Sequence, residues 1–322
     1  MEYRNLPGTS LKVSRLSLGT MTFGSQTNEA DSLKIMDYAF DRGINLFDTA
    51  DVYNQGEGER IVGKGLKGRR DNILLATKVR NQMGNNPLDQ GLSRRHLLSA
   101  VDASLKRLDT GYIDIYYLHA PDYDTGLEET LDTMTGLVRA GKIRYIGVSN
   151  YAAWQIADIL AVCDKHSLIR PVVTQNVYNL ITRGLEDELK PFLKAHNMGM
   201  IIYNPIAAGL LAGKHKPGQP EGNTRFAINR QYYNRYWLGE NFNALERLTK
   251  IAADRGMTLL QLAYKWCVYH GNVTSVLSGV SRPEQLSQNI SAIEGEPLDD
   301  VVIAACDGVW LSLVGNRFKY NR

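Results

Sequence analysis

Four residues at the ends of successive apolar runs could together move a proton. Asp48 and Tyr53 close the stretch Asn45-Leu-Phe-Asp-Thr-Ala-Asp-Val-Tyr53, Lys78 closes Ile73-Leu-Leu-Ala-Thr-Lys78, and His119 closes Ile113-Asp-Ile-Tyr-Tyr-Leu-His119. A short apolar run with a polar end reads as a buried strand that delivers its last side chain to a mouth. If those ends meet, a carboxylate, an ammonium, a phenol and an imidazole surround one centre. That set suits proton transfer to an oxygen on which negative charge develops. A free tyrosine has a pKa of ~10, and a neighbouring ammonium is expected to favour the tyrosinate and lower that value. Asp48 is expected to pair with Lys78, so that a buried cation does not stand alone. His119 is expected to hydrogen-bond a carbonyl oxygen and orient it. Singly these residues say little, because the chain has 17 tyrosines and six histidines. Their joint placement on three successive strand units carries the argument.

The elements that must position them follow from periodicity. Residues 1–13 read as a β-hairpin around Pro7-Gly8, and Ser14 to Leu18 reads as the next strand. Helical spacing then predicts Glu29–Arg42, closed by Gly43, before the strand that starts at Ile44. Strands are expected at 73–78, 113–119, 143–149, 172–176, 200–203 and 275–277. Helices are expected at 59–66, 93–108, 127–140, 152–165, 186–196, 242–255, 259–269, 283–293 and 299–314. That makes eight strand–helix units after a hairpin, and strict alternation implies a parallel sheet. Eight units closing on themselves form a (β/α)8 TIM barrel with an N-terminal β-hairpin and extra C-terminal helices, taken as a single domain over 1–322. An open doubly wound sheet would show a glycine-rich turn after its first strand, and Leu18-Gly-Thr-Met-Thr-Phe-Gly24 is not one. The Gly-x-Gly-x-x-Gly match at Gly63–Gly68 falls at the end of a helix and is set aside. Residues 215–240 read as a long irregular segment. It holds Arg225, Phe226, Arg230, Tyr232, Tyr233, Arg235, Tyr236 and Trp237, and is where substrate choice is expected to lie. Trp154, Trp266 and Trp310 sit in helical patterns and are expected in the core.

Composition narrows the class. Of 322 residues, 43% are apolar and 22% charged, with a net charge of +3, which argues for a globular protein and against nucleic-acid or membrane-surface binding. Cys163, Cys267 and Cys306 are too few and too widely spaced for a disulfide framework. They fit a reducing compartment. The start Met-Glu-Tyr-Arg-Asn carries no secretory pattern, and no apolar run approaches the ~20 residues that span a bilayer. A cytoplasmic location is expected. No metal site is expected either, since neither His-x-His nor His-Glu-x-x-His occurs.

With these residues in view the chain resembles the aldo-keto reductase family, of the bacterial type, over nearly its whole length. Leu6-Pro-Gly-Thr-Ser-Leu-Lys-Val-Ser and Leu18-Gly-Thr-Met-Thr-Phe-Gly are similar to that family's hairpin and first strand. Gly43-Ile-Asn-Leu-Phe-Asp-Thr-Ala-Asp-Val-Tyr53, Ala76-Thr-Lys78, Tyr117-Leu-His119 and Gly141-Lys-Ile-Arg-Tyr-Ile-Gly-Val-Ser-Asn150 resemble its signature segments. The resemblance implies a barrel that binds NADP(H), with NAD(H) the lesser expectation. It also implies Tyr53 as general acid/base beside Asp48, Lys78 and His119, and interconversion of a small-molecule carbonyl and its alcohol, a sugar-derived one included. Thr20, Met21 and Asp48 match first contacts to the cofactor. Ser149, Asn150 and Gln175 match the residues that hold the nicotinamide amide, and Tyr203 the aromatic that stacks on its ring. Pro205, Gly209, Leu211, Gly213 and Lys214 lie in the segment similar to the pyrophosphate loop, where Asn204 replaces the usual Ser. Gly279, Ser281, Arg282, Gln285 and Asn289 match the adenosine-phosphate site, with Ser278 where Pro is more common. There a helix start beside an Arg suits a phosphate, and Arg282 argues for the 2′-phosphate of NADP.

Two other readings compete. Some proteins resembling this family bind cofactor and act through a partner, as channel β-subunits do. This chain carries no long N-terminal extension or acidic tail in support, and its intact catalytic positions weigh against the idea. A Schiff-base aldolase using Lys78 is disfavoured by the matches at Ser149, Asn150, Gln175 and Tyr203. Nothing in the sequence separates a monomer from a homo-oligomer.

Overall fold

A computed structural model describes residues 1–220, 222, 224–270 and 273–315. Residues 316–322 of the expected domain lie outside that range. Two short antiparallel strands, β1 (Tyr3–Asn5) and β2 (Lys12–Ser14), form the hairpin. Eight parallel strands follow: β3 (Leu16–Gly19), β4 (Leu46–Asp48), β5 (Leu74–Val79), β6 (Ile113–Leu118), β7 (Ile143–Ser149), β8 (Val173–Val177), β9 (Gly199–Tyr203) and β10 (Ser275–Gly279). They run in chain order and close where β10 pairs with both β9 and β3. The expected barrel is therefore the observed one.

The helices between strands are α1 (Glu29–Asp41), α2 (Glu57–Leu66), α3 (Arg94–Leu108), α4 (Leu127–Arg139), α5 (Ala153–His166) and α6 (Leu189–Ala195). After β9 come α7 (Arg225–Ile228), α8 (Arg230–Tyr236), α9 (Gly239–Ala253) and α10 (Leu259–Tyr269), and after β10 come α11 (Pro283–Ser291) and α12 (Asp300–Val314). Side chains fix several starts: Asn28, Ser93, Thr258 and Asp299 each accept a backbone N–H in the first turn, which satisfies donors the helix cannot. α7 and α8 depart from the expectation of an irregular 215–240 segment. They are four and seven residues long, too short for a periodic stripe. Asn229 caps α8 by accepting from Gln231 and Tyr232 N–H.

Apolar residues separate into two bodies. The larger fills the space between strands and helices, and the smaller lies inside the barrel and includes Leu46, Ala76, Ile115, Tyr117, Val173, Ile201 and Leu277. Tyr117 faces inward across from Gly147, where a Cβ would come within 2.4 Å of its ring. The hairpin supplies Leu6 and Val13 to the interior body, and Leu6 reaches so close to Gly199 that a Cβ there would lie 2.3 Å from its Cδ1. The hairpin thus closes the end of the barrel away from Asp48, Tyr53, Lys78 and His119. The discarded glycine motif also has a use. On α2, a Cβ at Gly63 would meet the Leu108 carbonyl at 2.7 Å and one at Gly65 the Met36 side chain, so these glycines let α2 pack tightly on α3 and α1.

Trp266 is fully buried as expected, but Trp154 is 62% exposed. It lies on the face of α5 opposite Ile156, Ile159, Leu160 and Cys163, the buried stripe. Trp310 is partly buried on α12. The three cysteines are free and buried.

Candidate active site

Parallel strands place all their C-terminal ends at one mouth. The register puts Asp48 beside Gly19 and Ala76, Lys78 beside Tyr117, and Ser149 beside Gln175. Lys78 is fully buried, and its Nζ donates to Asp48 Oδ1 at 2.5 Å, to the Thr49 carbonyl at 2.7 Å and to the Tyr53 hydroxyl at 3.4 Å. All three ammonium hydrogens have an acceptor. Asp48 Oδ2 accepts from Gln175 Nε2 at 2.8 Å, and Thr20 ties its N–H and hydroxyl to the Asp48 carbonyl at 3.0 Å. The four residues singled out from the sequence therefore meet, with Lys78 bridging Asp48 and Tyr53.

Electrostatics follow from depth. Burial works against the charge on Lys78, but Asp48 and Tyr53 outweigh it and its pKa is raised. Asp48 is pushed up by burial, against the pull of Lys78 and Gln175. The expectation for Tyr53 is corrected here. Burial of the phenol raises its pKa and prevails over the lowering by Lys78, so Tyr53 carries its proton at neutral pH. The His119 ring stands edge-on to Tyr53, centroids 6.0 Å apart. Burial first, then Lys78 and Arg80, push its pKa down to about 3, which leaves it neutral.

Asn81 was not anticipated. Its Nδ2 lies 3.2 Å from His119 Nδ1. An amide nitrogen only donates, so Nδ1 accepts and the ring hydrogen sits on Nε2. The available signal was an amide three residues beyond Lys78, just past a strand end. Asn54 was also missed. With Gln55 it holds positive φ (51° and 55°), and its Nδ2 donates to the Phe23 carbonyl at 2.6 Å, binding the Tyr53 turn to the loop after β3.

The mouth opens into a cavity of about 1490 Å³ whose lining includes Asp48, Tyr53, His119 and Asn81, and also Arg282, Gln285 and Asn289. Thr20, Met21, Ser149, Asn150, Gln175, Tyr203, Pro205, Gly209, Lys214, Gly279 and Ser281 line it too. Leu211 is fully buried, and neither it nor Gly213, at φ 75°, lines the cavity; they shape the turn rather than face a ligand. Asn150, itself at φ 63°, donates to the His119 carbonyl at 2.9 Å and accepts from the Tyr203 hydroxyl at 2.8 Å. That pair of bonds fixes the Tyr203 ring. The loops after β3 and β10 are tied together by Thr22 and Thr27, which donate to the Val280 and Ser281 carbonyls.

A family model described as the aldo/keto reductase family matches residues 15–311. The chain belongs to that family. It is 37% identical to a protein of Arabidopsis thaliana named a probable voltage-gated potassium channel subunit beta, over 305 residues that make up 92% of this chain and 93% of that one. A protein of Oryza sativa subsp. japonica with the same name is 35% identical over the same shares. Aldo/keto reductases work with a nicotinamide dinucleotide, and the donor set here fits one. The cavity combines amides at Asn150 and Gln175, an aromatic at Tyr203, the cations Lys214 and Arg282, and the start of α11 at Pro283.

Two departures from the common aldo/keto reductase pattern have a structural reason. Asn204 sits at φ 63°, a conformation Asn tolerates better than most residues. Its Nδ2 donates to the Tyr236 hydroxyl at 2.8 Å and its Oδ1 accepts from Ala208 N–H at 2.6 Å, so one side chain links β9, the following loop and α8. Ser278 is fully buried and accepts from Asn289 Nδ2 at 3.0 Å, with the Tyr264 hydroxyl at 3.3 Å. It anchors Asn289, a cavity-lining residue. Gln285 is committed locally, its Oε1 accepting from Ser281 N–H at 2.8 Å.

Proposed function

We propose that this aldo/keto reductase interconverts an aldehyde or ketone with the corresponding alcohol, using NADP(H). The observation that carries this reading is the protonated Tyr53 hydroxyl, 3.4 Å from a Lys78 ammonium that Asp48 holds in place, beside a neutral His119 whose Nε2–H is free to donate. Ser149, Asn150, Gln175 and Tyr203 would hold the nicotinamide end, Lys214 and the loop from Asn204 the pyrophosphate, and Ser281, Arg282 and Asn289 the adenosine end. The cofactor supplies a hydride when bound. A substrate carbonyl oxygen placed between Tyr53 and His119 accepts two hydrogen bonds there. As negative charge builds on that oxygen, Tyr53 transfers its proton, and Lys78 stabilises the tyrosinate left behind. Asp48 keeps Lys78 charged and aimed. The reverse reaction uses the same groups in the opposite order.

Replacing Tyr53 with Phe tests the reading. The variant is expected to bind NADPH as the wild type does and to lose about 10²–10⁴-fold in turnover of any carbonyl substrate. Full turnover by the variant would sink the mechanism. Arg282→Gln is expected to weaken NADPH binding roughly tenfold while sparing NADH, read by nicotinamide fluorescence titration.

A second reading is favoured by the names of the plant relatives: a nucleotide-binding subunit that acts through a partner protein. It gains if nucleotide binds tightly while no member of a broad aldehyde, ketone and sugar panel turns over. Among the described residues no helix is long and apolar enough to cross a membrane.

A further inference from the structure

Two cavity-lining arginines flank the Tyr232 ring, Arg225 with its Cζ 5.4 Å from the ring centroid and Arg235, and of the two Arg235 is the one close enough to Tyr203 to act on its phenol. Arg235 sits on α8 three residues after Tyr232, so the two side chains share a helix face, and its Cζ lies 5.9 Å from the Tyr232 ring centroid. Both residues line the cavity. Among the described residues no carboxylate pairs with Arg235. The single carboxylate among the described lining residues is Asp48, which Lys78 already engages.

The position of Arg235 is set by the scaffold. The next residue, Tyr236, is buried and receives the Asn204 amide at 2.8 Å, which pins α8 over the end of β9. The end it overlooks is the reacting end. Burial pushes the Tyr203 phenol up to about 12, and Arg235 is near enough to oppose that shift. Tyr232 in turn is near enough to act on Tyr53. From the Tyr53 hydroxyl, a ligand can run past the Tyr232 ring to the Arg235 guanidinium. A guanidinium with no carboxylate partner among the described residues, beside an aromatic face, is suited to an oxyanion that it grips with two parallel N–H bonds.

Building on the oxidoreductase reading, we propose that Arg235, with the Tyr232 ring beside it, binds a carboxylate or phosphate carried by the substrate. The preferred substrates are then anionic carbonyl compounds whose flat or extended body separates the carbonyl from the anion. Arg235 selects among substrates and takes no part in proton transfer.

The test compares matched pairs with the NADPH-loaded protein: 4-carboxybenzaldehyde against methyl 4-formylbenzoate, and 4-formylphenyl phosphate against 4-methoxybenzaldehyde. The wild type is expected to favour at least one anion over its neutral partner by roughly tenfold or more in kcat/KM, expressed mainly in KM, and the pair showing it identifies the anion. In Arg235→Gln that ratio is expected to fall to about 1. Arg230→Gln removes the same charge from α8 at a position outside the cavity lining, and is expected to keep the wild-type ratio. Ratios near 1 for both pairs in the wild type would overturn the proposal. So would a ratio unchanged in Arg235→Gln, or lost equally in Arg230→Gln. If no carbonyl compound turns over, the oxidoreductase reading fails separately, and the anion site is judged by calorimetry on the NADP-saturated protein. Binding of 4-(hydroxymethyl)benzoate that is stronger than that of its methyl ester, and lost in Arg235→Gln, supports the site; equal binding of acid and ester overturns it.

Discussion

At Asp51 the fold has placed a carboxylate where charge is costly. It is fully buried, its Oδ1 accepts from Val52 N–H at 2.6 Å, and its Oδ2 has no partner among the described residues. Burial, with Glu59 adding to it, pushes its pKa up to about 7. In the unfolded chain the group titrates near ~3.9. Between those values the folded state holds a proton that the unfolded state lacks, so this contribution to stability is present in acid and is lost as the pH rises through 7. Asp51→Asn keeps the shape of the protonated form. Relative to the wild type it is expected to gain about 2–3 kcal/mol of stability between pH 5 and pH 8. Urea denaturation at the two pH values checks this, and an identical pH dependence in both proteins would refute it. His119 offers a second residue-scale test. Its depressed pKa reflects burial and two nearby cations. Asn81→Asp would put a carboxylate in reach of Nδ1, and is expected to move the imidazole titration from about 3 towards neutrality, followed by NMR.

These residues also mark the limits of what was legible. Asp48, Lys78 and His119 could be read because each ends an apolar run, and Tyr53 because it follows Asp48 in the next loop, and a barrel sends all such ends to one place. The direction of the Tyr53 shift could not be read, because it depends on how deeply the phenol is buried against how near Lys78 comes. Asn81 escaped because its partner belongs to the neighbouring strand unit. Its role is a relation between β5 and β6, invisible in either run alone.

At the scale of elements, the segment after β9 is the least regular part of the sequence and has a definite structure. His215, Phe226, Tyr233, Phe242 and Trp237 form a ring cluster, with the Trp237 centroid 5.0–6.0 Å from the other four. Trp237 Nε1 also donates to the Gly218 carbonyl at 2.6 Å. Short helices held by aromatic contacts leave no periodic trace, which is why α7 and α8 were read as irregular while the long helices were anticipated within a few residues. Trp237→Ala is expected to loosen this segment without unfolding the barrel. Hydrogen exchange over 224–237 should rise by tenfold or more, nucleotide binding should weaken, and the melting temperature should shift by only a few degrees. A wild-type exchange pattern would show that the cluster does not hold the segment.

For the molecule as a whole, strand order followed directly from alternation, since eight units with right-handed crossovers have one simple way to close. How the hairpin docks was not legible, because nothing in Tyr3–Ser14 says which end of the barrel it meets. The interior packing makes two glycines unequal. A methyl at Gly147 would strike the rigid Tyr117 ring, whereas one at Gly199 would strike the end of the Leu6 side chain, which can turn to another rotamer. Gly147→Ala is expected to cost several kcal/mol in urea denaturation, and Gly199→Ala distinctly less. The reverse order would mean that the hairpin, not the inner layer of side chains, is the rigid part.

Because side chains fill the barrel and the hairpin caps its far end, a molecule bound at the mouth has no exit through the barrel. If a dinucleotide lies along the floor of the cavity, a second reactant can settle only on top of it and must depart before it. Traffic through a dead-end passage is first in, last out. Initial-rate and product-inhibition patterns for the proposed reaction should therefore show a compulsory order, with the oxidised and reduced nucleotides competing for the bare protein and the carbonyl compound unable to bind it alone.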